Sequence, residues 1–240
     1  MSNRNRLSRR SKMACVMALL SVGLATPLLA SVSISYQTDP SQGAFSVSNS
    51  DLINSNSVSL LSTSDSGFTP FSFDGGTSTT SALNDGVQGL SFASGNGALS
   101  SGAFDLDGTW TTTFYLDAGY DLRQLDTIAS WPAARASQAY QVSVRQVGNP
   151  VFTLLATVDF EVSPDQSSKI VITDTAGTLA YNVDAIQFDF TVATGSASGR
   201  ETVYRELDVF GVPTVVPEPS SVGLALAGGA MLLLWRFKKS

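Results

Sequence analysis

The sequence contains no histidine and only one cysteine among its 240 residues. Without an imidazole group, it has no Ser-His-Asp triad, no Cys-His pair and no histidine-ligated zinc site. The single thiol, Cys15, lies in a segment that we expect to be removed, so the mature protein is expected to lack disulfides and cysteine metal sites. Charged residues make up only 14% of the chain. This composition is typical of an extracellular all-β protein.

Positive charge is scarce in the central part of the chain. No lysine or arginine occurs between Lys12 and Arg123, and residues 31–215 carry six basic and 19 acidic residues, a net charge of −13. Such a surface repels nucleic-acid phosphates and anionic lipid, so nucleic acid is not an expected partner. The same charge favours solubility and can attract divalent cations.

The first 30 residues have the organisation of a secretory signal peptide. Five basic residues lie in positions 1–12, residues 13–24 are apolar, and the small residue Ala30 marks the expected cleavage position. The apolar run is too short to span about 30 Å of hydrocarbon comfortably, which argues against a permanent anchor. We therefore predict export by the secretion machinery and a mature chain that starts at Ser31.

Residues 216–240 combine a proline motif, an apolar run and a basic tail. Pro217, Glu218 and Pro219 form an extended stretch that favours access by a protease. Residues 222–235 are apolar, and this length is marginal for a stable membrane span. The basic cluster that follows fits the cytoplasmic side of a membrane. Its members are Arg236, Lys238 and Lys239.

This order of features resembles the PEP-CTERM sorting signal of bacteria that make exopolysaccharide. The resemblance implies that the motif at 216–221 is recognised by an exosortase while the apolar helix holds the exported chain transiently in the inner membrane. Cleavage would release the body to the cell surface or the extracellular matrix. A plain C-terminal membrane anchor is the alternative interpretation of the same residues.

Residues 31–215 show strand patterns without a helical periodicity of useful length. Apolar and polar residues alternate over residues 110–116, 140–144, 186–192 and 203–210, and turn-forming residues separate these stretches. This length suffices for one domain with a full core. The pattern predicts an all-β body, an antiparallel jelly-roll β-sandwich of roughly eight or more strands.

Three segments spanning residues 82–211 resemble the galactose-binding-like β-sandwich, the fold of discoidin domains and many carbohydrate-binding modules. They are an Ala-x-x-Asp-Gly turn at 82–86, a Trp-x-x-x-Arg-x-x-x-x-Tyr-x-Val pattern at 131–142 and a Glu-Leu-x-Val-x-Gly strand at 206–211. Their order and spacing agree with that fold. The resemblance implies that the body adopts it.

The resemblance also implies a structural calcium ion, the one cofactor expected here. In such domains the Asp-Gly turn and a glutamate on the last strand often frame calcium, which corresponds to Asp85 and Glu206. Asn84 or backbone carbonyls would complete the six to eight oxygen ligands that calcium prefers. In the alternative interpretation, the Asp85 carboxylate binds backbone amides of its own turn and Glu206 pairs with an arginine.

Trp131 and Arg135 are the candidate glycan-binding residues. A tryptophan ring offers a platform for a sugar, whereas the alternative is that the guanidinium packs on the ring as part of the core. Known lectin-type members present histidine, arginine, asparagine or aromatic residues together in their binding loops. This sequence departs from that pattern because it lacks histidine and its recognisable loops are small and polar.

Paired carboxylates are the one feature that fits a glycan hydrolase. The pairs are Asp105 with Asp107 and Asp159 with Glu161, and we interpret them as solvent-facing acids at strand ends. The sequence contains no nucleophile elbow, phosphate loop or metal-ligand cluster. It therefore predicts a non-catalytic, exosortase-sorted surface or matrix protein associated with exopolysaccharide. A calcium-dependent carbohydrate-binding module is the first alternative, and a glycan hydrolase is the second.

Overall fold

The structure is a computed structural model that describes most of the central part of the chain. The predicted signal peptide (1–30) and sorting signal (216–240) lie outside the described residues, as do Asp105, Asp107 and Trp131. No helix in the described ranges is long and apolar enough to cross a membrane. The described ranges are 31–40, 45–67, 72–73, 76–77, 80–87, 98–99, 109–130, 135–193 and 202–215.

The alternating segments of the sequence form strands, and every strand pairing is antiparallel. The predicted all-β, antiparallel architecture is confirmed. Among the described residues, one short 3₁₀ helix, Thr80–Leu83, accompanies the strands. The strands are β1 Val32–Asp39, β2 Leu60–Ser66, β3 Ser72–Phe73, β4 Gly76–Thr77, β5 Ala98–Leu99, β6 Trp110–Ser130, β7 Gln138–Gln146, β8 Phe152–Phe160, β9 Ser167–Asp174, β10 Ala180–Phe190 and β11 Val203–Pro213.

Strand β6 organises the sandwich because its two halves pair with different neighbours. The first half pairs with β2 and β10, and the sheet continues from β10 to β7 and β8. The second half pairs with β11 and β9, and β9 pairs with β1. The two groups of strands face each other: Tyr204 of β11 lies 4.5 Å from Phe190 of β10, measured between ring centroids.

An aromatic cluster fills the space between the two groups of strands. Trp110 at the start of β6 stacks on Phe190 with 4.2 Å between ring centroids, and Phe188 packs against Phe114 and Tyr140. All five side chains are buried. The predicted buried faces of segments 110–116 and 140–144 are therefore confirmed.

Strand β11 differs from its sequence pattern. Alternation over residues 203–210 predicts one face toward the core and one toward solvent, yet all residues from 203 to 209 are buried. The outer face of β11 is covered by the segment 45–59 and by the 3₁₀ helix, and the amide of Leu52 donates to the carbonyl of Val209 at 2.8 Å. The acidic side chains on this face therefore lie in the protein interior.

Candidate functional site

The Asp-Gly turn lies directly against the last strand. The amide of Gly86 donates to Oε1 of Glu206 at 3.2 Å, although the two residues are 120 positions apart. Asp85 accepts a 2.8 Å hydrogen bond at Oδ1 from the amide of Val87 in its own turn. The structure thus brings the predicted pair Asp85 and Glu206 together, and it also contains the turn contact of the alternative interpretation.

Glycine is the residue best suited to position 86 of this turn. Its φ of +75° is a conformation that side chains with a Cβ rarely adopt. A Cβ on Gly86 would also lie 1.9 Å from Oδ1 of Asn49 and 2.9 Å from Nδ2 of Asn54. The Asp-Gly motif is therefore explained by a left-handed backbone and by the close approach of the segment 45–59.

Glu206 is fully buried with an incomplete set of hydrogen bonds. Within the described part of the chain, its Oε2 has no hydrogen-bond partner. Burial raises the pKa of Glu206 to about 10, and the carboxyl groups of Asp208, Asp85 and Asp51 act in the same direction, while the Gly86 amide opposes them. Without a cation, this carboxyl group therefore keeps its proton at neutral pH.

Asp208 lies two residues further along the same face of β11 and is 1% exposed. Its two carboxylate oxygens accept the amide of Ser48 at 3.3 and 3.2 Å. Burial raises the pKa of Asp208 to about 7, with Asp51 and Asp126 adding to the increase and Lys169 opposing it. This carboxyl group is therefore harder to ionise than an exposed aspartate.

Asp51 joins this acidic cluster, which we define as Asp51, Asp85, Glu206 and Asp208. Its Oδ1 accepts the amides of Ile53 at 3.0 Å and Val209 at 3.3 Å, whereas its buried Oδ2 has no hydrogen-bond partner among the described residues. Burial raises the pKa of Asp51 as well. Burial also raises the pKa of Asp85, while its turn amide and Glu206 lower it.

Sequence reasoning missed two members of the cluster. Asp208 follows Glu206 at the spacing of one strand face, and this spacing was a usable signal. Asp51 lies in a loop without any periodic pattern, so nothing local indicated that it approaches β11. Its position depends on contacts between residues more than 150 positions apart.

The acidic cluster has the oxygen chemistry of a calcium site but not a complete set of carboxylate ligands. In the described ranges, no three side chains of Asp, Glu, Cys or His are close enough to hold one metal ion. A bound calcium would therefore need backbone carbonyls or amide oxygens besides the carboxylates of Asp85 and Glu206. Oδ1 of Asn49 abuts the turn at Gly86. The orphaned Oε2 of Glu206 fits such a ligand role.

The alternative partner for Glu206 was an arginine. Its neighbour Arg205 is fully buried and donates from Nε to the carbonyl of Ser130 at 2.9 Å, and burial lowers the pKa of Arg205 to about 10. This contact anchors β11 to β6 and directs Nε of Arg205 toward the backbone.

Of the other predicted residues, Arg135, Asp159 and Glu161 lie in the described part of the chain. Arg135 lies three positions before the first residue of β7, and its carbonyl accepts the amide of Val203 at 2.9 Å. Trp131 lies outside the described residues, so their predicted joint role in glycan binding stays a prediction. Asp159 and Glu161 are exposed at the end of β8.

No family model and no curated protein sequence matches the chain. Similar solved structures include a CBM32 module of Clostridium perfringens in complex with GalNAc-β-1,3-galactose, at a TM-score of 0.42 and 12% identity over 62% of this chain and 94% of that one. The family 32 carbohydrate-binding module of Streptococcus pneumoniae EndoD has a TM-score of 0.42 and 7% identity over 67% and 99% of the two chains. An F5/8 type C domain of Bacteroides fragilis has a TM-score of 0.36 and 13% identity over 56% and 80%. At these scores the similarity carries no argument about a ligand or a site.

Proposed function

We propose that the chain is an exported, non-catalytic carbohydrate-binding protein of the cell surface or extracellular matrix, and that calcium at the acidic cluster stabilises its β-sandwich. The observation that carries the calcium part is the fully buried Glu206, whose Oε2 has no hydrogen-bond partner in the described part of the chain. A buried carboxylate without compensation costs several kcal/mol, and a bound cation offsets that cost.

In this proposal, Asp85 and Glu206 hold the ion, with Asn84 or backbone carbonyls completing the oxygen shell. The ion supplies positive charge among four carboxyl groups and ties the Asp-Gly turn to β11. Asp51 and Asp208 add negative charge nearby, which increases the attraction for a divalent cation. The role is structural, because it fixes the segments that cover β11.

The carbohydrate part rests on the sequence resemblance of segments 82–86, 131–142 and 206–211 to galactose-binding-like domains. A purely structural or adhesive role in the matrix is the competing function, favoured by the sorting signal alone. Glycan hydrolysis in most enzyme families uses a pair of carboxyl groups that flank the scissile bond. The pair Asp159 and Glu161 is exposed.

Export and sorting predict a defined mature chain. We expect protein recovered from the surface or medium of its native host to begin at Ser31 and to end near Pro217–Pro219, because both ends carry predicted processing signals. Intact mass together with cell fractionation measures this. A full-length C-terminus retained in the inner membrane would make the tail an ordinary anchor and would remove the main support for a matrix role.

Carbohydrate binding predicts retention on the exopolysaccharide of the host, immobilised on a resin. We expect the protein to be retained in calcium and to elute with a chelator, since loss of the ion releases the turn that covers β11. Trp131→Ala is expected to weaken retention severalfold. Tyr181→Ala is the matched control, because Tyr181 is an aromatic residue of β10 that is 60% exposed. Absence of retention on every matrix glycan tested would leave the structural role as the surviving function.

A further inference from the structure

Asp174 is a buried carboxylate at the end of β9 whose hydrogen bonds are incomplete. It is 7% exposed, and its Oδ1 accepts the amide of Ala176 at 2.6 Å in the turn that follows the strand. Within the described part of the chain, its buried Oδ2 has no hydrogen-bond partner. A buried acceptor that loses water and gains no donor costs free energy, and the cost is larger for a charged group. A cation or a donor at this oxygen would therefore stabilise the fold.

Basic side chains of the described ranges do not supply this cation. Lys169, on the same strand, pairs with Asp126 at 2.8 Å. Arg123 stands on β6 one position beyond the last residue that pairs with β9, but its side chain is exposed and forms no ion pair with Asp174. The positive charge that would complement Asp174 must therefore come from another group.

The first residues of β1 lie beside Asp174. Val32, where β1 begins, pairs in register with Asp174, and the amide of Thr175 donates to the carbonyl of Ser31 at 3.4 Å. Residues opposite each other in an antiparallel pair have Cβ atoms about 4.5–5.5 Å apart on the same face. The Asp174 carboxyl group bends toward the Ala176 amide, which lies at the same end of the ladder as Ser31. The main-chain nitrogen of Ser31 and this carboxyl group therefore share one end of the β1–β9 ladder.

Removal of the predicted signal peptide would change the chemistry of this nitrogen. In the precursor it belongs to the peptide bond with Ala30 and is neutral, with one hydrogen. Hydrolysis adds the hydroxyl group of water to the Ala30 carbonyl carbon and the other hydrogen to the nitrogen, and the proton of the new carboxyl group then moves to the amine. Ser31 is left with an α-ammonium group that has three donor hydrogens. An α-amino group with a pKa of about 7.7–8.0 is mostly charged at neutral pH.

We propose that Asp174 binds the α-ammonium group that cleavage of the signal peptide creates on Ser31. The inference rests on the export part of the proposed function and adds a structural consequence of processing to it. Among the described strands, β1 pairs only with β9, so an ion pair at the start of β1 holds this edge of the sandwich in place. The precursor lacks the contact, and its sandwich is less stable until the signal peptide is removed.

The test measures whether the effect of Asp174 depends on a free terminus at Ser31. Urea unfolding at pH 6.5, where an α-amino group is charged, compares the chain 31–240 with a chain that begins at Thr26 and keeps the Ser31 nitrogen in a peptide bond. Asp174→Asn is made in both chains, because asparagine keeps an oxygen for the Ala176 amide but lacks the charge. We expect it to raise the unfolding equilibrium constant about tenfold in the chain 31–240. In the longer chain we expect no increase, since an unpaired buried carboxylate does not stabilise the fold.

Two further substitutions serve as controls for other charges. Arg123→Gln removes the basic side chain nearest to Asp174 on β6, and Glu161→Gln removes an exposed acid elsewhere. Each is expected to change the unfolding equilibrium constant equally in the two chains. If Asp174→Asn has no effect once Arg123→Gln is present in the chain 31–240, the partner of Asp174 is Arg123 and the inference is wrong.

Failure of the inference can be told apart from failure of the proposed function. Equal effects of Asp174→Asn in the two chains would overturn the inference and leave the proposed export, calcium binding and glycan binding as they stand. Intact mass of the native mature protein tests the cleavage position separately. A mature chain that begins at a residue other than Ser31 would contradict both the predicted cleavage and the inference.

Discussion

Calcium at about 100 times its dissociation constant is expected to raise the melting temperature of the full chain by about 5–10 °C. Ligand binding at that excess stabilises a folded protein by about 2.7 kcal/mol, and each kcal/mol corresponds to about 2–4 °C for a domain of this size. Glu206→Gln is expected to abolish the increase, because an amide offers no charge to the ion. Thermal unfolding followed by circular dichroism, in calcium and in chelator, measures both effects.

The behaviour of Glu206→Gln without calcium separates a lost ligand from a damaged fold. The pKa of Glu206, raised to about 10, means that the folded apo protein holds this carboxyl group in its neutral form. Glutamine resembles that form, so the variant in chelator is expected to melt at or above the wild-type temperature. Glu161→Gln, an exposed control, should keep the full calcium response. A wild-type protein that melts at one temperature in both buffers would contradict the calcium proposal.

The stability of the chain is also expected to depend on pH, in a direction that the raised pKa values determine. Burial raises the pKa of Glu206 from 4.5 to about 10 and that of Asp208 from 3.8 to about 7. Between the ordinary and the raised values, the folded state binds more protons than the unfolded state, so stability falls as pH rises. In chelator we expect stability to decline from pH 5 to pH 8, and in calcium we expect a smaller decline because the ion replaces the protons. Urea unfolding at the two pH values measures the difference.

Trp110→Ala is expected to lower the free energy of unfolding by about 3–5 kcal/mol, the usual cost of removing a large aromatic side chain from a core. Trp110 is 1% exposed and stacks on Phe190 at the start of β6, the strand shared by both halves of the sandwich. The melting temperature should fall by about 10 °C. Denaturant unfolding of the purified full chain tests this expectation.

Two controls accompany the Trp110 variant. Trp110→Phe keeps an aromatic partner for Phe190 and should cost much less than the alanine variant. Tyr181→Ala removes an aromatic side chain that is 60% exposed and should change stability by no more than about 0.5 kcal/mol. Similar free energies of unfolding for Trp110→Ala and Tyr181→Ala would show that Trp110 contributes little to the stability of the core.

Local pattern predicted the strands that have one clear apolar face. In segments 110–116 and 140–144, the side-chain period of two decides which residues are buried, and this information is contained in neighbouring positions. The length of β6 escaped prediction because residues 117–121, Asp-Ala-Gly-Tyr-Asp, have the composition of a turn. In the structure they continue the strand, since β10 and β11 both pair with it around Tyr120.

The sequence by itself predicted the all-β class and, from residue patterns, two terminal signals, which stay predictions; the nearness of the Asp-Gly turn to a glutamate of the last strand was implied by the resemblance to galactose-binding-like domains. Only the tertiary structure decided that β11 is buried on both faces and that Asp51 and Asp208 lie beside Glu206. The physical reason is that burial of a polar strand face depends on which distant segment covers it. Here that segment is 45–59. Its contacts with β11 join residues more than 150 positions apart, and no periodic pattern in the sequence indicates them.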